Sequence, residues 1–258
     1  MRLDNYLVLK GYFDSRTKAQ SIIKSKLVKV NDKIIDKPSF DINDNDVVLV
    51  TKDNCPYVSR GGLKLEEAIK VFNLDFKDKV VLDIGSSTGG FTDCAIKHGA
   101  RLVYAVDVGR DQLHESLKNN PKVISYEETN IKDIDSFENK IDYVVMDVSF
   151  VSIEYIIEYI YKFVSESDAF MCLIKPQFEV GKMYLKNGIV KDKSLYRKVL
   201  ESIVEKLKEY NLGIVDIRLS PIKGGSGNKE FLSLIKKGDS KININAFLGD
   251  IDDKKTRS

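Results

Sequence analysis

Val80-Val81-Leu82-Asp83-Ile84-Gly85-Ser86-Ser87-Thr88-Gly89-Gly90-Phe91 is an apolar run that breaks into a glycine-rich turn. A buried strand feeding such a turn and then a helix sets backbone N–H groups and a helix N-terminus against a ligand. The spacing Asp-x-Gly-x-x-x-Gly departs from the Gly-x-Gly-x-x-Gly that cradles a pyrophosphate. A second apolar run, residues 102–106, ends in Asp107. That acid lies about 20 residues past the glycines, where a carboxylate holds both hydroxyls of a ribose.

Working outward from this pair, helix and strand signals alternate. Helices are predicted over 63–72, 92–97, 111–119, 153–163 and 195–209. Strands are predicted over 80–84, 102–106, 123–126, 142–146, 169–174, 214–219 and 230–235. The alternation predicts an α/β fold, a largely parallel sheet with helices on both faces. After Gly238 the chain turns polar, and a mobile tail is expected there, over 241–258.

The first 50 residues differ. Residues 1–30 hold seven bases (Arg2, Lys10, Arg16, Lys18, Lys24, Lys26, Lys29) against Asp4 and Asp14, a local surplus in a chain whose net charge is only +2. Ser15 is placed to cap a helix over 16–26. On it Ala19, Ile22 and Ile23 share one face, while Arg16, Gln20 and Lys24 form a basic stripe. Asn31-Asp32 is a two-residue hairpin turn between Leu27-Val28-Lys29-Val30 and Lys33-Ile34-Ile35, with a closing strand over 46–50. A module this small has no room for a catalytic cleft, so binding is its expected role. A polar segment with Pro56 follows. The organisation expected is therefore a module over 1–52, a linker over 53–60, a catalytic domain over 61–240 and the tail.

Composition excludes other classes. No stretch of about 18 apolar residues is present to span a bilayer. Met1-Arg2-Leu3-Asp4 meets charge too early for a secretory leader. Cys55, Cys94 and Cys172 fit neither a disulfide framework nor zinc spacing, and are expected to be reduced thiols of a cytoplasmic protein. No metal site is expected.

The run Asp83–Gly90 resembles motif I of S-adenosylmethionine-dependent methyltransferases, which have a Rossmann-like sheet. This implies a cofactor site of Asp83, Gly85, Ser86, Ser87, Thr88, Gly89, Gly90, Phe91, Asp107, Asn130 and Asp147, and an antiparallel edge made by the last two strands. The pattern Ser15-Arg16-Thr17-Lys18-Ala19-Gln20 leading to Val28-Lys29-Val30-Asn31 resembles the alpha-L RNA-binding motif. It implies RNA contacts from Arg2, Arg16, Lys18, Gln20, Lys24 and Lys29. Relatives usually carry Gly near Ser25-Lys26 and in place of Asp32.

The acceptor side is read by elimination. Amino-directed DNA enzymes place Asp/Asn-Pro-Pro-Tyr/Phe where this chain has Asp147-Val148-Ser149-Phe150. Cytosine-5 enzymes need a Pro-Cys nucleophile, which is missing. At predicted strand ends stand Asp147, Lys175 and Glu230, with Lys64 after Ser59-Arg60-Gly61-Gly62. This Lys-Asp-Lys-Glu set resembles the tetrad of FtsJ-like RNA ribose 2′-O-methyltransferases. Together with Ser-Arg-Gly-Gly-x-Lys-Leu, Val-Met-Asp-Val-Ser-Phe and Ile-Lys-Pro-Gln-Phe-Glu, the chain resembles the TlyA (haemolysin A) family over about residues 1–240.

What that resemblance implies is methylation of a ribose 2′-hydroxyl, of cytidine, in ribosomal RNA. The start directly at the module is the form that goes with the large ribosomal subunit. In such chemistry a solvated lysine, with its pKa of about 10.4, is too highly charged to take a proton. Burial and a second cation lower that value, while nearby carboxylates raise it. Lys175 is the expected base and Lys64 the expected partner of the developing alkoxide, with Asp147 and Glu230 orienting both. Tyr155, Tyr159 and Tyr161 are expected in the core. Two rivals stand beside this reading: an RNA-binding assembly factor without catalysis, and a membrane-active haemolysin.

Overall fold

The computed structural model describes the chain except Asp14, Ser25, Asp44, residues 52–54, 225–226 and 254–258, and the side chains of Lys18, Ser21, Asp252 and Asp253. Its contacts divide into two units, Met1–Cys55 and Pro56–Ser258.

The first unit comprises α1 (Leu3–Leu9), α2 (Arg16–Lys24), β1 (Val28–Val30), β2 (Lys33–Ile35) and β3 (Val48–Val50), with the strands in the order β2-β1-β3, all antiparallel. Leu3 and Leu7 of α1, Ala19 and Ile23 of α2, and Val28, Val30 and Ile42 form its core. Lys29 points away from it, as strand alternation requires. The hairpin turn takes φ values of +48° at Asn31 and +62° at Asp32, the left-handed pair that matches strand twist. The helix stops two residues short of the predicted end, and Lys26 beyond it is left-handed at φ +63°. Lys26 and Asp32 thus carry side chains in a backbone conformation that glycine adopts more readily.

The second unit contains α3 (Gly61–Phe72), β4 (Val80–Ile84), α4 (Gly90–Lys97), β5 (Leu102–Val106), α5 (Glu115–Lys118), β6 (Val123–Tyr126), β7 (Tyr143–Met146), α6 (Ile153–Val164), β8 (Ala169–Ile174), α7 (Pro176–Glu179), β9 (Leu185–Lys186), β10 (Ile189–Val190), α8 (Ser194–Glu209), β11 (Leu212–Leu219), β12 (Phe231–Lys237) and α9 (Ile244–Asp253). Its main sheet runs β11-β12-β8-β7-β4-β5-β6. Strand order reverses between β4 and β7, and ligands bind such sheets outside the carboxyl ends at that point. Val80, Leu82 and Ile84 pack with residues of α6, α8 and α9, whereas Ala105 packs with Leu113 and Leu117. Alternating residues thus feed cores on both faces.

The last two strands form the expected antiparallel pair at the edge of the sheet, with β12 lying between β11 and β8 and antiparallel to both. Two expectations need correction. The predicted helix over 111–119 shrinks to Glu115–Lys118, behind a left-handed Asp111 at φ +51°. Most of the presumed tail is α9. Ile244, Phe247, Leu248 and Ile251 recur at helical spacing and pack on the main core, with the Phe247 and Phe231 rings 5.2 Å apart.

Candidate active site

The carboxyl ends of β4, β7 and β8 share one edge of the sheet. Because β12 runs the other way, pairing Phe231 with Ile174, its first end lies at that same edge. Asp147 leaves β7, Lys175 leaves β8 ahead of the helix-starting Pro176, and Glu230 precedes β12. Lys64 reaches them from α3. Gly90 permits the α3–α4 approach, since a Cβ there would lie 2.4 Å from Ser59 Oγ and 2.9 Å from the Gly62 nitrogen.

The four predicted catalytic residues meet. Lys64 Nζ donates to Glu230 Oε2 at 2.7 Å and to Asp147 Oδ2 at 3.3 Å. Lys175 Nζ lies 2.6 Å from Asp147 Oδ1 and donates to Ser149 Oγ at 2.9 Å. Asp147 therefore bridges both lysines. Lys64, Lys175 and Glu230 are buried at 8%, 7% and 3% exposure. The other Glu230 oxygen accepts from Gln177 Nε2 at 3.3 Å, and Gly224 leaves room for it.

Two cavities adjoin here and share Gly85, Ser87, Asp147, Ser149 and Phe150. The first, about 620 Å³, is lined by all four charged residues and by Ser86, Thr88, Gly90 and Phe91 of the turn. The second, about 380 Å³, is lined by Asp107, Asn130 and the apolar Val108, Ile131 and Val148. Asp107 accepts from the Ser87 N–H at 2.8 Å and the Gly109 N–H at 2.7 Å, so each oxygen keeps a free acceptor position. Gly85, at φ +81°, would bring a Cβ to 3.0 Å from the Asp147 carbonyl oxygen, so only glycine fits the seam between the cavities.

Two predicted cofactor residues line neither cavity. Asp83 is fully buried and accepts from Thr92 Oγ1 at 2.6 Å, tying β4 to α4. Burial pushes its carboxyl up to about 7. Gly89, at φ +91°, makes room for Leu117 and Leu113. Arg110 and Asp111, after Asp107, are exposed and also line neither.

Sequence reasoning missed several participants. Ser149 and Gln177 support the tetrad from within motifs already noted. Glu179 accepts from Ser152 Oγ at 2.6 Å and from the Ile153 N–H at 3.1 Å, fastening the loop after β8 to the loop after β7. Burial raises its carboxyl above the ordinary range. Tyr155 is 59% exposed and, with Tyr159, lines the second cavity instead of entering the core. On α6 the core takes Ile153, Ile156, Ile157 and Ile160, which leaves positions 155 and 159 on another face. Tyr161 packs against the core and Tyr210, ring centroids 5.2 Å apart.

In the first unit, the predicted RNA contacts divide. Arg2 and Arg16 donate to buried Asp4 at 2.9–3.0 Å, and Gln20 donates at 2.7 Å. These three residues therefore hold the unit together, a task the basic stripe did not suggest. Lys24 is exposed and Lys29 half-exposed. The Lys18 side chain lies outside the described residues.

Residues 57–237 match the FtsJ-like methyltransferase family, and residues 1–48 match the S4 domain. The chain is 44% identical to Hemolysin A of Brachyspira hyodysenteriae, covering 90% of this chain and 98% of that one. It is 34% identical to the 16S/23S rRNA (cytidine-2′-O)-methyltransferase TlyA of Mycobacterium tuberculosis, covering 89% and 87%. The solved structure of a protein described as a hemolysin from Streptococcus thermophilus superposes with a TM-score of 0.77 at 36% identity, covering 100% and 97%. With its tetrad, its glycine turn and its added S4 domain, this chain belongs to the FtsJ-like methyltransferase family, in the branch that carries the Hemolysin A and TlyA names.

Proposed function

We propose that the protein transfers the methyl group of S-adenosylmethionine to the ribose 2′-hydroxyl of a cytidine in ribosomal RNA, in the cytoplasm. The observation that carries this reading is the largely buried Glu230–Lys64–Asp147–Lys175 chain lining one cavity, beside a second cavity suited to a nucleoside. The M. tuberculosis relative is named for this reaction. The residues present fit the cofactor: Asp107 for its ribose, Asn130 and apolar Val108, Ile131 and Val148 for its base, and Gly85 for close backbone approach. When bound, it supplies an electrophilic methyl on a positively charged sulfur.

A ribose hydroxyl is a weak nucleophile, so alignment and proton removal are what the chain must provide. Lys175, in its neutral form, takes the hydroxyl proton. Asp147 and Ser149 hold its Nζ in place. Lys64 faces the negative charge that grows on the oxygen, and Glu230, braced by Gln177, fixes Lys64. Glu179 keeps the two loops in register. The S4 domain carries the chain to its RNA through Lys24 and Lys29, with Lys18 as a further candidate.

The test is transfer of labelled methyl from S-adenosylmethionine to intact ribosomes and to separated subunits, followed by nuclease digestion. Label is expected in 2′-O-methylcytidine, and Lys175→Arg is expected to remove it, because a guanidinium keeps its charge but accepts no proton. Binding of subunits without transfer would favour an assembly factor. No helix among the described residues is long and apolar enough to cross a membrane, and leakage of lipid vesicles with no transfer would favour the haemolysin reading.

A further inference from the structure

The floor of the larger cavity is electrically balanced, two lysines against two carboxylates. With both lysines charged it exerts no net pull on an anion, and with Lys175 neutral, as a base must be, it carries a net negative charge. Yet a nucleotide within an RNA strand carries a phosphate on each side of its ribose. Seating its 2′-hydroxyl on that floor brings both phosphates to the mouth.

The mouth is charged. Arg60, Lys182 and Lys223 line the same cavity, and none of them has an ion-pair partner among the described residues. Lys182 and Lys223 are exposed, and Arg60 is half-exposed. The charge continues outward along the β9–β10 hairpin with Lys186 and Lys191 and into the start of α8. Residues 182–198 hold six bases (Lys182, Lys186, Lys191, Lys193, Arg197, Lys198) against one acid, Asp192, with Arg197 paired to Glu201. That surplus equals that of residues 1–30 and exceeds the net +2 of the whole chain. Beside it Tyr184 is 53% exposed, an aromatic face on which an unpaired base can stack, and Met183 is 85% exposed.

The two arms of this rim are fastened together. Asn228, 3% exposed, donates from Nδ2 to the Gly188 carbonyl at 2.8 Å and accepts the Val190 N–H at Oδ1 at 3.0 Å. Its own carbonyl accepts the Gly224 N–H at 3.0 Å, which links the hairpin to the loop bearing Lys223. Fixed cations around a floor without net positive charge suit a polyanionic strand whose sugar, not its phosphate, is the reacting part.

We propose that Arg60, Lys182 and Lys223, extended by Lys186 and Lys191, form a second RNA-binding surface, on the catalytic unit itself, that grips the phosphates flanking the ribose to be methylated. The proposal rests on the RNA-methylation reading. Phosphate contacts of this kind position the strand without reading its sequence.

The experiment compares the full-length parent with Lys182→Glu/Lys223→Glu, and with Lys70→Glu/Lys208→Glu, an equal charge change at exposed residues lining neither cavity. Equilibrium binding of ribosomal RNA fragments is measured across a salt titration, with S-adenosylmethionine affinity in parallel. The rim variant is expected to bind RNA at least tenfold more weakly, with its log–log salt slope reduced by about 1.5, two single-strand phosphate contacts. Its cofactor affinity is expected within twofold of the parent, and the control pair is expected to match the parent closely. Equal losses in both variants would overturn the proposal, as would an unchanged salt slope. A rim variant that loses cofactor affinity instead would assign these cations to the cofactor and also overturn it. Because binding is the readout, the outcome for the rim is separate from methyl transfer by the parent, whose failure would count against the reaction.

Discussion

Asp4 in the first unit and Asp147 in the second are both carboxylates held by two cations, yet they are built in opposite senses. Asp4 is 0% exposed, its partners Arg2 and Arg16 have side chains 41% and 51% exposed, and Gln20 and the Asn5 N–H complete its shell. The anion is buried, the cations meet water, and every contact comes from within 16 residues. Around Asp147 the cations are the buried partners and the anion looks into two cavities. A buried acid closed off by surface arginines is a fastening. Buried lysines kept beside an open cavity are desolvated charge retained for chemistry.

The sharpest way to break this comparison is to cross the two clusters. Lys64→Ala should lower methyl transfer by about 100-fold or more, within the range for a group that stabilises developing charge, while the fold and cofactor affinity persist. Asp4→Asn should instead cost the first unit about 2 kcal/mol by stranding its partners. Hydrogen exchange over residues 3–50 should accelerate, and the cofactor site should be untouched. If Asp4→Asn leaves that protection unchanged, Asp4 is not a fastening.

A smaller effect separates the two units by pH. Arg2, Gln20 and Arg16 hold the Asp4 carboxyl well below the ordinary range, so its contribution is present above that range and lost as pH falls. Asp83 has the reverse sign. Its carboxyl lies at about 7 folded against 3.8 normally, so across that window the native chain keeps a proton that the unfolded chain releases. Stability of the second unit should fall as pH rises through the window, and Asp83→Asn should flatten the fall. Urea titrations at several pH values measure both slopes. The smallest effect belongs to Lys26, left-handed at φ +63°. Lys26→Gly should raise the unfolding free energy of the first unit by about 0.5–1 kcal/mol, seen as a higher urea midpoint, the strain relieved less the entropy glycine adds to the unfolded chain. A lower midpoint would mean the Lys26 side chain has a structural task.

The elements around the glycine turn are the most legible in the sequence. Runs 80–84, 102–106 and 169–174 stand where they are expected, because buried parallel strands are continuous apolar runs. Lys64, Asp147, Lys175 and Glu230 are legible only as a set and through resemblance, since each alone looks like any surface charge. The helix α9 escapes notice because its apolar residues are diluted by polar ones, although their spacing of three and four is present. Arg2, Arg16 and Gln20 suggest RNA by residue type, and nothing local announces that they converge on one buried carboxylate. The rim around Lys182 and Lys223 is hidden because its two arms lie far apart in the chain and are brought together by Asn228.

The reversed direction of β12 bears on when activity arises during synthesis. Glu230 lies 166 positions after Lys64, and it enters the site only once β12 has slipped between β8 and β11. The glycine turn emerges from the ribosome long before that, with β4 and β5 available to pair around it. A nascent chain therefore has its glycine turn before Glu230 is available to join Lys64.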